Sequence, residues 1–323
     1  MTPKERAVAA LNLQTPDKVP TFELEFQLEE EMFGRKFITE DLEPEKLVKL
    51  SLKEKEAKLF ELAEYMVHVY GTLEYSIIPG YGPYRKLFCE DGSLPLETRL
   101  LHKYLKELLD DRAMIGFEGD GTFAIPDGNN IYTFSYAIAD DPEGVKEKAK
   151  KMADIAIERN KRLRESGVEC LLLCSDYCYN SGPFLSPAMF EEYIQPYLYR
   201  IIDEARKEGL YVIKHTDGNI MPILNQLVEC KPHALHSIDP MAGVDIREVK
   251  ELVGHKVCLC GNVNCSVLQT GTEEEIVKSA EYCLTHGKTG GGYIFSSSNC
   301  IFSGINPESY RVMLSVWKEM RDY

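Results

Sequence analysis

Residues 211 to 219 read YVIKHTDGN. A short apolar run closes on His215, Thr216, Asp217 and a Gly turn, the pattern of a buried strand and not of a helix. His215 and Asp217 stand at i and i+2, so on a strand both side chains point to one face. An imidazole and a carboxylate aimed together are two candidate ligands for a divalent metal. A core histidine hydrogen-bonded to its neighbouring aspartate would use the same pair. Catalytic zinc takes three protein ligands and leaves one position open, so the metal reading needs a third ligand. Cys300 supplies it from a later strand end, giving N, O and S donors, with Cys260 as the competing thiol.

The elements that must position these residues alternate between strand-like and helix-like runs. A first amphipathic helix over residues 2–13 precedes strand-like segments at 19–26, within 66–78, and at 113–117, 169–175, 211–219, 234–238, 256–260 and 293–297. Helical patterns fill 29–35, 44–65, 98–110, 142–165 and 307–320, and residues 79–96 read as a long loop or hairpin. Short apolar strands separated by helices imply a parallel sheet buried on both faces. Eight such units in about 300 residues match a closed (β/α)8 TIM barrel, here with an N-terminal helix. An open doubly wound sheet is the alternative, but no Gly-x-Gly-x-x-Gly follows the first strand. With no linker or repeat, residues 1–323 read as one domain.

Barrel chemistry sits at the carboxyl ends of the strands. Those ends carry Glu23 and Glu25, Glu118 and Asp120, Asp176 with Tyr177 and Tyr179, His215 and Asp217, His236 and Asp239, Cys260 and Asn262, and Ser298 to Cys300. Each has a bland use as well. Asp239 before Pro240 suits a turn, the cysteines suit a reduced core, and the tyrosines suit packing.

A net charge of −15 with no basic run argues against nucleic-acid binding, which needs clustered Lys and Arg. No apolar run approaches a membrane span, and the N-terminus lacks the apolar block of a signal peptide, so a cytoplasmic protein is expected. Ten cysteines without a zinc-ribbon spacing then read as reduced thiols, in keeping with a reducing, anaerobic cell.

Six motifs in order carry a resemblance over essentially the whole chain: ERAVAALNLQTPDKVP, SGPFLSPAMFEEYIQPYLYRIIDEARKEG, HTDGN, IDPMAGVDI, CGNVN and INPESYRVML. They resemble the uroporphyrinogen decarboxylase superfamily, which implies the same (β/α)8 barrel. In the decarboxylase branch the segment after the first strand is Arg-rich and grips a polycarboxylate. Here that segment is TFELEFQLEEEMFG, with no Arg before Arg35. Its acidity would repel such a substrate.

The other branch comprises zinc methyltransferases that work with corrinoid proteins. Methylcobalamin:coenzyme M enzymes hold zinc through His-x-Cys after strand five and a Cys after strand eight. His215 and Cys300 match the first and last of these, and Asp217 stands where the middle Cys is expected. An oxygen in that place makes the metal a harder Lewis acid, better suited to an oxygen ligand. The resemblance therefore implies an O-demethylase that moves the methyl group of a methoxylated aromatic substrate to the Co(I) of a corrinoid (cobalamin) on a partner protein. Glu23, Glu25, Glu118 or Asp176 would handle the proton, and Tyr177, Tyr179 and Phe123 would contact the ring. Methyl transfer from methylcobalamin to a thiol, uroporphyrinogen decarboxylation and a non-catalytic metal-binding barrel are the alternatives.

Overall fold

The computed structural model describes residues 1–84 and 92–323; residues 85–91, inside the expected 79–96 loop, lie outside the described residues. The strands are β1 Ile77–Pro79, β2 Met114–Glu118, β3 Cys170–Leu173, β4 Cys178–Tyr179, β5 Gly182–Pro183, β6 Tyr211–His215, β7 Ala234–His236, β8 Cys258–Val263 and β9 Tyr293–Ser297. Seven of them form one parallel sheet in the order β1-β2-β3-β6-β7-β8-β9, while β4 and β5 make a small antiparallel hairpin. The sheet is curled. Ile77, Met114, Leu172, Ile213, Ala234, Cys260 and Ile294, one from each of its strands, share a single buried cluster with Phe22 and Leu24. A second, larger cluster fills the layer between strands and helices.

The described residues thus form a seven-stranded sheet where eight strands were expected. The segment 19–26 lies between its first and last strands but makes only isolated parallel bridges, from Thr21 to Tyr75 and Phe295 and from Phe26 to Ile301. Pro20 has no N–H to give and serves only as an acceptor, from the Phe295 amide at 2.9 Å, so a continuous ladder cannot form there.

Two more expectations are corrected. Residues 66–72 are helical and not extended, because the helix Leu52–Thr72 runs on to bury Leu59, Leu62, Ala63, Met66, Val69 and Tyr70 at helical spacing. The second strand expected there is β1, which starts only at Ile77. The helix Ile131–Asp140 was not expected at all; none of its residues is fully buried.

The amino-terminal helix, Pro3–Leu11, begins on a capping box between Thr2 and Glu5. Its Ala7, Ala10 and Leu11 belong to the interior cluster. Arg6 pairs with Asp17 at 2.7 Å, and three further polar contacts fall at the amino ends of strands. The Lys4 amide donates to the Arg112 carbonyl before β2, Lys4 Nζ pairs with Glu169 before β3 at 2.5 Å, and Asn12 donates to the Tyr211 hydroxyl at the start of β6. This helix closes that end of the curled sheet.

Candidate active site

The order of the sheet decides which strand ends meet. β3, β6 and β7 are neighbours, and His215 and His236, each the last residue of its strand, are paired in register. Asp176 follows β3 and Asp217 follows β6. One ligand atom from each of Asp176, His215 and Asp217 lies within 4.8 Å of the others. His215 Nε2 is 3.7 Å from Oδ1 of Asp176 and 3.7 Å from Oδ1 of Asp217. The Asp217 amide donates to Asp176 Oδ1 at 3.0 Å, which ties the two loops together.

The turn after Asp217 requires its glycine. Gly218 has φ +82°, and a Cβ there would stand 2.3 Å from the Cys178 carbonyl oxygen. Its N–H donates to Asp239 at 3.1 Å, and the Asn219 N–H donates to the Tyr179 carbonyl at 2.9 Å. Asp239, a turn residue by sequence, therefore holds the neighbouring turn as well as its own, where it accepts from the Met241 amide.

Lys214, between Ile213 and His215, points to the opposite face of β6 and is fully buried. Its ammonium bonds Asp120 at 3.0 Å and the carbonyls of Leu173 and Ser175 at 3.2 and 2.8 Å, and lies 4.1 Å from the centre of the Tyr177 ring. Burial alone would raise the Asp120 carboxyl, but the Lys214 charge and hydrogen bonds outweigh it and leave it at about 2. Asp120 also accepts from the Ser175 amide at 3.0 Å. The ion pair thus fixes the backbone immediately before Asp176.

Electrostatically the group lacks positive charge. Burial, then the neighbouring Asp176 carboxylate, pushes Asp217 up to about 7, although Ser237 Oγ donates to it at 2.8 Å and pulls the other way. Burial, then the Lys214 charge, pushes His215 down to about 3, so its imidazole is neutral. His236 behind it is also lowered well below the usual imidazole range, by burial and by His215. A neutral imidazole facing two carboxylates is a donor set that a divalent cation fits, and the mutual repulsion of the carboxylates is what such an ion relieves.

The other expected residues fall elsewhere. Cys300 lies outside the group. Its thiol donates to Asn299 Oδ1 at 2.9 Å, Asn299 Nδ2 in turn donates to Asp217 Oδ2, and burial pushes the thiol up to about 12. Asp176, expected as an acid, joins His215 and Asp217 in its place. Cys260 packs in the apolar interior, where burial raises its thiol well above the usual range. Glu23 sits between Phe22 and Leu24, both interior, and so faces away from the interior. It is fully buried, and its carboxyl accepts from the Ser297 amide at 3.1 Å and hydroxyl at 2.5 Å. Burial raises it to about 8. Glu25 is half-buried, accepts from Gln27 at 2.9 Å and adds to the negative field on Cys300. Glu118, at the end of β2, shares the face of interior Met114 and remains half-buried.

Tyr177 is a core residue, its ring edge-on to Phe190 and its hydroxyl 2.6 Å from that of Thr122. Phe123 is buried edge-on to Phe134, which leans on Phe184. Tyr179, on the hairpin, is 44% exposed. His236 and Asn299 were among the polar strand-end residues in the sequence but were given no role, and Ser237 was not singled out. The signal for His236 was present: like His215, it closes a short apolar run ahead of a polar turn.

The comparisons with known proteins agree with this architecture. Residues 126–320 match the family model described as uroporphyrinogen decarboxylase (URO-D). The chain belongs to that family. Among curated relatives, a uroporphyrinogen decarboxylase of Pseudoalteromonas translucida is 26% identical over 230 residues, covering 66% of this chain and 61% of its own length. One from Shewanella halifaxensis is 27% identical over 238 residues, covering 68% and 62%. The chain thus spans about three fifths of the length of these relatives. A solved structure described as a methyltransferase from Methanosarcina mazei superposes with a TM-score of 0.70 over 99% of both chains at 17% identity, a likeness of fold.

Proposed function

We propose that this protein is a metal-dependent methyltransferase that takes the methyl group from a methoxylated aromatic compound and delivers it to the cobalt of a corrinoid carried by a separate protein. The observation that carries the reading is the Asp176–His215–Asp217 group, a nitrogen and two carboxylates at adjacent strand ends. With no thiolate among them, these donors leave a bound metal hard and acidic, which suits an ether oxygen better than a thiol. Zinc held by Asp176, His215 and Asp217 would supply Lewis acidity toward the oxygen that loses its methyl group.

The chain's own residues do the rest. Asp176 and Asp217 fix each other through the Asp217 amide, so the donor geometry exists before any ligand arrives. Glu118 supplies a carboxyl on the interior face outside the metal group and is the residue assigned to protonate the leaving oxygen. Exposed Tyr179 offers a ring for the substrate to stack on, and buried Phe123 forms an aromatic row with the half-buried Phe134 and Phe184. The segment Thr21–Gly34 carries Glu23, Glu25, Glu29, Glu30 and Glu31 and no Arg. That composition disfavours the decarboxylation of a polycarboxylate for which the curated relatives are named.

The test mixes purified protein with zinc, a reduced corrinoid protein and a panel of methoxyaromatics, and follows the absorbance of the cobalt. Methylation by at least one donor, lost in His215→Ala and Asp217→Ala, is the expected result. No response to any donor, with methylcobalamin consumed by a small thiol instead, would replace this reading with transfer in the opposite sense. Zinc below one equivalent, unchanged in His215→Ala, would leave a non-catalytic barrel.

A further inference from the structure

His215 and His236 meet through their Nδ1 atoms at 2.8 Å. A contact that short between two ring nitrogens holds one proton: two would clash, and none would set lone pair against lone pair. Which ring carries it is decided on the far side of His236. There Nε2 lies 3.2 Å from the Ser296 hydroxyl. That hydroxyl has a single proton and gives it to the Ser297 carbonyl at 3.0 Å. Ser296 Oγ therefore meets His236 as an acceptor, and His236 carries its proton on Nε2. Its Nδ1 is then a lone pair that accepts from His215 Nδ1–H. The remaining nitrogen of His215, Nε2, is left unprotonated, facing Asp176 and Asp217 at 3.7 Å each.

From this chain we infer that His236, backed by Ser296, is a positioning residue that locks His215 in the Nδ1–H tautomer and so holds the Nε2 lone pair ready for a metal. The inference rests on the metal reading given above. The relay crosses the sheet: His215 closes β6, His236 closes its neighbour β7, and Ser296 lies on β9, on the far side of β8. Solvent cannot substitute for a partner, since His236 is 1% exposed and Ser296 wholly buried. The Phe22 ring stands edge-on to His236 at 5.6 Å between centroids and limits its rotation. Partners of this kind on metal-binding histidines fix the tautomer and ring orientation, and losing one typically weakens metal binding by about 10- to 100-fold.

The experiment has two arms. In the first, long-range 1H–15N correlation spectra of the metal-free protein assign the imidazole protons. His215 protonated at Nδ1 and His236 at Nε2 is the expected outcome; His215 protonated at Nε2 overturns the inference. In the second, zinc affinity is measured by chelator competition in wild type, His236→Leu, His236→Gln and Ser296→Ala. His236→Leu is expected to lose about 10- to 100-fold and His236→Gln, whose carbonyl still accepts from Nδ1–H, to recover most of it. Ser296→Ala keeps both rings, and is expected to give a mixed His215 tautomer with an unchanged thermal midpoint. Zinc affinity in His236→Leu within twofold of wild type would also overturn the inference. A wild-type protein with the expected tautomers but no affinity for zinc, cobalt or manganese would instead remove the metal reading and leave the relay standing.

Discussion

Glu23 was a candidate proton donor by sequence, yet it is sealed against Ser297, and its titration reports on folding. In the folded protein its carboxyl is raised to about 8, against an ordinary value of 4.5. Between those limits the folded state holds a proton that the unfolded chain has released. The stabilisation from this group is therefore complete below pH 4.5 and is lost as pH climbs through about 8. At about 1.4 kcal/mol per pH unit, tapering where the folded group itself begins to titrate, the loss between pH 5 and pH 8 is about 3–4 kcal/mol. Glu23→Gln removes the titration. Its amide oxygen still accepts from the Ser297 amide, and its NH2 donates to the Ser297 hydroxyl. The measurement is urea unfolding of wild type and Glu23→Gln at pH 5, 6.5 and 8, read as the difference between the two. That difference should shift toward the variant by about 3–4 kcal/mol across the range. Parallel stability profiles would show that Glu23 is not held protonated and would refute the account of its burial. Methyl transfer, if it does not use Glu23, survives the substitution.

Further outcomes follow from the same geometry. Lys214→Met leaves the Asp120 carboxylate buried without its cation and should cost about 3–5 kcal/mol, with most of it restored by adding Asp120→Asn; a single-variant loss below about 1 kcal/mol would contradict the ion pair's role. Gly218→Ala puts a methyl group against the Cys178 carbonyl at a positive φ and should destabilise by about 2–4 kcal/mol in denaturant unfolding. Asp176→Asn removes the charge that helps raise Asp217, so the Asp217 titration followed by carboxyl 13C shifts in metal-free protein should move down from about 7. Zinc at a hundred times its dissociation constant should add about 3 kcal/mol of stability, lost on chelation and absent in His215→Ala.

Much of the architecture was legible because buried parallel strands are short apolar runs, and β9 and the helix Pro307–Met320 fall where their patterns end. Legibility failed where two periods competed. The run from Met66 is rich in valine and tyrosine, as strands are, yet Met66, Val69 and Tyr70 continue a helical spacing begun at Leu59, and burying that face won. The helix Ile131–Asp140 was missed because apolar residues lie all round it, and only Phe134, Ala137 and Ile138 pack on the core. In the site, His215 and Asp217 were readable as a local i, i+2 pair. That Asp176 joins them was not, since it depends on β3 lying beside β6 across the intervening hairpin β4–β5. Cys300 was expected to close the set, but the side chain of Asn299 stands between its thiol and Asp217.

The helix Pro3–Leu11 stoppers the amino end of the curled sheet, while the Asp176–His215–Asp217 group stands at the carboxyl ends of its strands. A substrate and a protein partner that both approach from the carboxyl side must take turns. In the proposed methyl transfer a small substrate would be seated before the corrinoid protein docks over it, and the demethylated product would leave after that partner lifts away. Turnover of such a device would be paced by docking and undocking, and a partner present in excess would act as its inhibitor.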